Sequence, residues 1–302
     1  MSAAISAKPS PTGIKGLPTV ARSRVALRGT VERWKREHKT IGVVPTMGAL
    51  HEGHLTLVRR AQSECDRVIV TIFVNPTQFG PNEDFGAYPR RETQDMEKLS
   101  TLGVALVWLP TPEEMYPEGF ATTVSVANVT DGLCAPHRPG HFQGVATVVT
   151  KLLNQTGADK AYFGEKDYQQ LQVIKRLARD LDLPCEIIGV PTVREADGLA
   201  LSSRNLYLAP TERAQAALLP QVLRETADAA ARGEAPFPEI VDRAIARLIE
   251  GGFGSIDYLA ICDAETLAPV SDLARPARIF VAARLGKTRL IDNMPIPSPS
   301  TL

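Results

Sequence analysis

Three short apolar runs constrain this chain more than any other feature. IGVVP (41–45), VIVTIFV (68–74) and VALVWLP (104–110) are almost uninterrupted and rich in β-branched residues. Runs this short and apolar on both faces suit strands buried in a parallel sheet. Between the first two, residues 53–65 place Leu55, Leu57, Val58 and Ala61 at helical spacing, and a helix near 91–101 precedes the third run. Alternating strand and helix predicts an α/β domain, with a doubly wound parallel sheet and right-handed crossovers.

The alternation continues. A helix near 144–156 precedes a short strand near 159–163, and a helix at about 167–181 precedes CEIIGVP (185–191). Residues 20–38 read as a charged helix. Beyond residue 192 the texture changes. An Ala-rich helix over 211–232, a break at GEAP (233–236) and a helix over 237–250 lead to strands IDYLAIC (256–262) and ARIFVAAR (277–284). The expected organisation is a Rossmann-like domain over 19–192 and a smaller α+β domain over 193–302, a division that the 302-residue length accommodates. Residues 1–18 form a Pro-, Ser- and Gly-containing extension read as disordered, with Pro9, Pro11 and Pro18 interrupting any targeting helix.

Charge narrows the partners. The chain carries 34 Lys+Arg and 34 Asp+Glu, a formal net charge of zero. That balance argues against nucleic acid or an anionic membrane surface as partner, but a small anion needs only a few well-placed cations. No apolar run approaches transmembrane length. Cys65, Cys134, Cys185 and Cys262 are scattered and form no C-x-x-C pair, which fits a reduced cytoplasm.

Histidine is the informative count. Only five occur, and two, His51 and His54, stand in VPTMGALHEGH (44–54), where the first apolar run gives way to a helix. Parallel sheets bind ligands at the carboxyl ends of their strands, and a helix start offers free N–H groups to phosphate. Gly48 and Gly53 would let backbone approach such a ligand. The plainer readings are a capping and an exposed histidine, or two nitrogens of a zinc site that has no evident third ligand. LSSRN (201–205) is a second polar, basic segment; its hydroxyls and guanidinium suit a polyphosphate, or form a polar turn.

H-x-G-H after the first strand resembles the signature of the nucleotidyltransferases. Six blocks in order, VPTMGALHEGH (44–54), IFVNPTQFGPNEDFGAYPR (72–90), RPGHFQGV (138–145), FGEKDYQQ (163–170), VREADGLALSSRN (193–205) and ARLGKTRLIDN (283–293), resemble the pantothenate synthetase family. The resemblance runs from about residue 19 to the end, with a departure at Ala135–Pro136, where it implies a glycine. It implies an ATP-dependent ligase: pantoate and ATP give a pantoyl-adenylate and pyrophosphate, and the amine of β-alanine then displaces AMP. It also implies Mg²⁺, a homodimer, and no covalent enzyme intermediate, so catalysis rests on positioning and charge stabilisation.

By the same resemblance His54 is the proton donor, with His51, Lys166 and Arg204 beside it. Met47, Gly48, His51, Gly53, His54, Gly164, Lys166, Asp167, Val193, Leu201, Ser202, Ser203 and Arg204 are the implied ATP-binding residues. Pro45, Met47, Asn75, Gln78, Tyr88, Arg138, His141 and Gln170 are the implied substrate-binding residues, and Asp95 the implied Mg²⁺ ligand. The residue chemistry is compatible. Lys166 is a compact cation able to follow phosphate oxygens. Gln78 and Gln170 are neutral amides suited to pantoate's hydroxyls, although surface amides look the same in sequence. Asp167 can cap a helix or meet a ribose, and Asp95 can hold Mg²⁺ or stand exposed on its helix. The loop over 75–90 is expected to cover the pantoate pocket and exclude water.

Two motifs mislead. RLGKT (284–288) ends like a phosphate loop, but the required first glycine falls on Val281; GGFGS (251–255) lacks the third glycine of a dinucleotide fingerprint, which falls on Asp257. The competing functional readings are another nucleotidyltransferase that acts on a phosphate-bearing substrate, and a nucleotide-sensing or RNA-binding module, which few aromatics and zero net charge disfavour.

Overall fold

The order of the strands places the site. The computed structural model describes residues 16–81 and 83–298; all but the last three residues of the extension read over 1–18 lie outside them. The larger sheet has six parallel strands: β1 (Thr19–Ala21), β2 (Ile41–Thr46), β3 (Arg67–Ile72), β4 (Leu106–Trp108), β5 (Lys160–Gly164) and β6 (Glu186–Val190). Their order is β1-β4-β3-β2-β5-β6. The chain winds outward in one direction from β2 and, after crossing back, in the other from β5. The pair β2–β5 is therefore the switch point, where an open α/β sheet leaves a crevice at its carboxyl edge.

Helices cover both faces because each strand alternates its apolar side chains. Val43, Ile69, Leu106 and Trp108 pack on one side with α1 (Arg24–Arg36), α5 (His141–Thr156) and α6 (Tyr168–Asp180). Val44, Val70 and Val107 pack on the other with α2 (Glu52–Glu64) and α3 (Glu92–Thr101). In α1 the buried Leu27, Val31 and Trp34 recur at helical spacing, and Ser23 caps its start by accepting from the Ala26 N–H at 3.2 Å. Trp108 is wholly buried, its indole N–H donating to Gln155 Oε1 at 3.2 Å.

The smaller sheet is antiparallel, β7 (Ser255–Asp263), β8 (Ala277–Leu285) and β9 (Thr288–Pro295) in that order. Helices α8 (Leu218–Ala231) and α9 (Phe237–Glu250) close its core. The sheet packs onto the first through Phe280, Cys262 and Leu267 against Val129, Phe142 and Val173.

Several expectations needed correction. The helix read over 20–38 starts only at Arg24, because Thr19–Ala21 forms the edge strand β1 beside β4. Three residues are too few to show a period. A one-turn helix, α4 (Pro112–Met115), also went unread. The helix expected at 144 begins at His141, after Gly140 turns left-handed at φ 78°. The single helix expected over 211–232 is two, α7 (Pro210–Ala216) and α8, broken at Ala217. Pro220 has no N–H to bond the Ala216 carbonyl, and it sits in the first turn of α8, where none is needed. Strand β9 was missed because its polar residues, Asp292 and Asn293, are buried against other segments and not turned to water. RLGKT is the hairpin between β8 and β9, with Gly286 at φ 55°, and GGFGS joins α9 to β7.

Candidate active site

A cavity of about 230 Å³ opens over the carboxyl ends of β2 and β5. Pro45, Met47, His51, Gly53, His54, Asn75, Gln78, Tyr88, Arg138, His141, Gly164, Lys166, Asp167, Gln170, Val193, Leu201, Ser202, Ser203 and Arg204 all line it. Gly48 and Asp95 do not.

The turn after β2 is set by backbone demands. Gly48 and Ala49 both take positive φ, 81° and 49°. Their successors' N–H groups turn away from the sheet and find Asp95: Ala49 N donates to one carboxylate oxygen at 2.8 Å and Leu50 N to the other at 2.7 Å. Asp95 is 1% exposed. This corrects the reading of Asp95 as an exposed helix residue. Both oxygens hold the turn, outside the cavity. Among the described residues there is no cluster of three His, Cys, Asp or Glu able to hold a metal.

That turn delivers the two imidazoles side by side, ring centroids 4.1 Å apart. The backbone N–H of His51 donates to His54 Nδ1 at 3.3 Å. Nδ1 is thus an acceptor, the proton of the neutral ring sits on Nε2, and that N–H remains for a ligand. Gly53 makes room for its neighbour, since a Cβ there would lie 2.9 Å from His51 Cε1. His51 Nδ1 is buried without a partner. Burial, then the nearby Lys166 charge, lowers the His51 pKa to about 4; burial, then His51, lowers His54 to about 3. Both rings are neutral at pH 7.

A second network holds the amides. Asn75 Nδ2 donates to Gln78 Oε1 at 3.1 Å and to the Gly144 carbonyl at 3.2 Å. Gln78 Nε2 contacts Met47 Sδ at 3.2 Å. Arg138 donates to His141 Nε2 at 2.9 Å, so His141 carries its proton on Nδ1 and donates it to the Gln78 carbonyl at 2.9 Å. Burial first, and Arg138 next, lowers the His141 pKa to about 4. Helix α5 crosses this turn so closely that a Cβ on Gly144 would lie 2.7 Å from Gln78 Cα.

The cations come from three segments. Lys166 stands 3.8 Å from Asp167, whose side chain makes no cap bond to α6, which leaves the capping reading without support. Ser202 accepts from Arg204 N at 3.3 Å and opens the 203–207 turn, while Ser203 meets the Tyr88 hydroxyl at 3.2 Å. Two acids escaped the sequence reading although they lie in a matched block. Glu83 takes the Arg138 fork at 2.7 and 2.6 Å, and Asp84 takes Arg204 at 2.8 and 3.1 Å. Burial alone would push both carboxyl pKa values up, but each guanidinium outweighs it and holds its partner ionised. Nothing local marks these pairings, which span 55 and 120 residues.

Fold and motif together place the chain among the α/β enzymes of the H-x-G-H nucleotidyltransferase class. The family model for pantoate-beta-alanine ligase matches residues 19–295, and the chain belongs to that family of ligases. It is 57% identical over 275 residues to a pantothenate synthetase of Paramagnetospirillum magneticum, covering 91% of this chain and 96% of the relative. The crystal structure of pantothenate synthetase from Thermus thermophilus superposes with a TM-score of 0.86 at 47% identity, covering 92% and 99%. That of the Francisella tularensis ligase, complexed with beta-gamma ATP and β-alanine, does so at 0.79 and 35%, covering 93% and 99%.

Proposed function

We propose that this chain condenses pantoate with β-alanine at the expense of ATP, through a pantoyl-adenylate, and releases AMP and pyrophosphate. One observation carries the reading. Two neutral imidazoles, Lys166 and the Ser202–Arg204 turn converge on a cavity that the amides of Asn75, Gln78 and Gln170 also line. The first group suits a triphosphate and the second a small hydroxy acid. The Francisella relative was crystallised with an ATP species and β-alanine, the nucleotide and the amine substrate of this reading.

The chemistry is two displacements. A pantoate carboxylate oxygen attacks the α-phosphorus, and the bond to pyrophosphate breaks. The β-alanine nitrogen then attacks the acyl carbon, the bond to AMP breaks, and the amine gives up a proton. Charge grows on the pyrophosphate oxygens in the first step. His54 Nε2–H, His51, Lys166 and Arg204 are the donors placed to meet it. Gln78 and Gln170 orient pantoate, with Pro45 and Met47 against its apolar carbons and Asn75, Tyr88, Arg138 and His141 close by. The loop over 75–90 shields the mixed anhydride from water, and Phe79 and Tyr88 reach the cavity from it. Asp95 does not fit as a protein ligand for Mg²⁺, so the ion belongs in this reading with the nucleotide's own phosphates and water.

We further read 19–192 and 193–302 as the two domains, on the change of sequence texture after 192, the cytoplasm as the compartment, on the scattered cysteines, and a homodimer as the assembly, on the family resemblance. Among the described residues no helix is long and apolar enough to cross a membrane. The test of the reaction is pyrophosphate release from ATP with pantoate alone and with pantoate plus β-alanine. Sustained release that needs both substrates is expected; none under either condition overturns the reading.

A further inference from the structure

Two adjacent residues of β9 in the smaller sheet reach the segment that bears Lys166 and the hairpin that precedes Arg204. The period of a strand sends neighbouring side chains to opposite sides. Asn293 points to the 164–167 segment. Its Nδ2 donates to the carbonyls of Glu165 and Lys166, each at 2.9 Å. Asp292 points to the 193–201 segment, where both its oxygens accept from Arg194, at 2.7 and 3.0 Å. Arg194 in turn donates to the Gly198 carbonyl at 3.0 Å, and Leu201 N closes the hairpin on the Val193 carbonyl at 3.0 Å.

The amide of Asn293 cannot turn over. Arg278 donates twice to its Oδ1, at 2.9 and 2.7 Å, and the guanidinium is itself fixed 4.0 Å over the Tyr168 ring. With the oxygen occupied, the NH₂ must face the two carbonyls. Asp292 and Asn293 are 3% and 2% exposed, so water does not compete for these bonds. Neither residue lines the cavity over β2 and β5.

We propose that Asp292 and Asn293 are positioning residues for the ATP half of the site. They tie the Lys166 segment and the Val193–Arg204 segment to one rigid strand and fix the distance between them. The inference rests on the ATP-dependent reading above. Asn75 and Gln78 are outside this clamp, since they are held by α5 through Gly144 and His141, whereas Gln170 follows the clamped segment at the start of α6. The clamp therefore acts first on the ATP half.

Asn293→Asp tests this with little change of shape. It keeps the acceptor for Arg278, removes both donors and sets an oxygen against two carbonyl oxygens. Asp292→Asn breaks the fork with Arg194. Binding of a β,γ-non-hydrolysable ATP analogue is measured by calorimetry, and KM for each substrate with the others saturating. In folded variants, judged by thermal unfolding, ATP affinity should fall roughly tenfold or more, as a displacement of under 1 Å can cause. KM for pantoate and β-alanine should rise by clearly less than KM for ATP, below the ~1.4 kcal/mol of a tenfold change. Wild-type ATP affinity in the variants, or an equal rise in all three KM values, overturns the proposal. Should Asn293→Asp fail to fold, Asp292→Asn decides the matter on the same readouts. Failure of the wild type to bind the analogue would instead overturn the ATP-dependent reading.

Discussion

At the scale of single residues, local backbone geometry decides what the histidines can do. The His51 N–H fixes the His54 tautomer, and Gly53 keeps the His51 ring in place. A neutral ring with its N–H facing the cavity donates without first having to lose a proton or a counter-charge. His54→Ala and Lys166→Ala should each lower the rate of adenylation by ~10²–10³-fold, the effect of removing one aimed donor, while leaving thermal unfolding near that of the wild type. Pyrophosphate exchange measures the rate; turnover at the wild-type level would remove that residue from the mechanism. The histidine pair was legible in sequence because it lies within four residues. The burial of Asp95 was not legible because its partners, Ala49 and Leu50, lie more than 40 residues away, and the turn at Gly48 and Ala49 aims their N–H groups at it.

Elements set how the groups of the proposed site are held. Helix α5 serves the amide wall: it carries His141, accepts from Asn75 at Gly144 and touches the 76–78 turn without a side chain between them. Gly144→Ala would push that turn away, because the new Cβ would fall within contact distance of the Thr77 carbonyl and Gln78 Cα and neither is a flexible side-chain end. Raised KM for pantoate by about tenfold, with affinity for an ATP analogue unchanged, is the expected outcome. An unchanged pantoate KM would show that the turn does not hold Gln78 against pantoate. The strands and longer helices of the larger sheet could be read from periodicity, since contiguous residues carry it. Short β1, and β9 with its buried polar residues, could not be, because their status depends on neighbours far along the chain.

For the whole molecule, burial of three neutral histidines ties stability to pH. Burial, as the largest cause, lowers His51, His54 and His141 from 6.5 to about 4, 3 and 4. In the unfolded chain they return to near 6.5 and bind protons that the fold refuses. The unfolded state therefore holds more protons between about pH 6.5 and 4, and unfolding free energy must fall as pH drops through that range. The slope is at most ~1.4 kcal/mol per pH unit for each ring. Thermal midpoints measured from pH 7.5 to 4.5 should decline below about 6.5, and His54→Asn should flatten the decline; a midpoint constant from pH 7 to 5 would refute it.

Sequence by itself determined the parallel sheet and the family, because apolar period and motif order are properties of neighbouring residues. Tertiary structure alone decided which buried groups satisfy one another. It sent Asp95 to backbone N–H groups, Glu83 and Asp84 to the cavity's arginines, and Asp292 and Asn293 to the segments bearing Lys166 and Val193. Those pairings are fixed by the need of each buried donor and acceptor for a partner. That need is met only once packing has brought distant segments together.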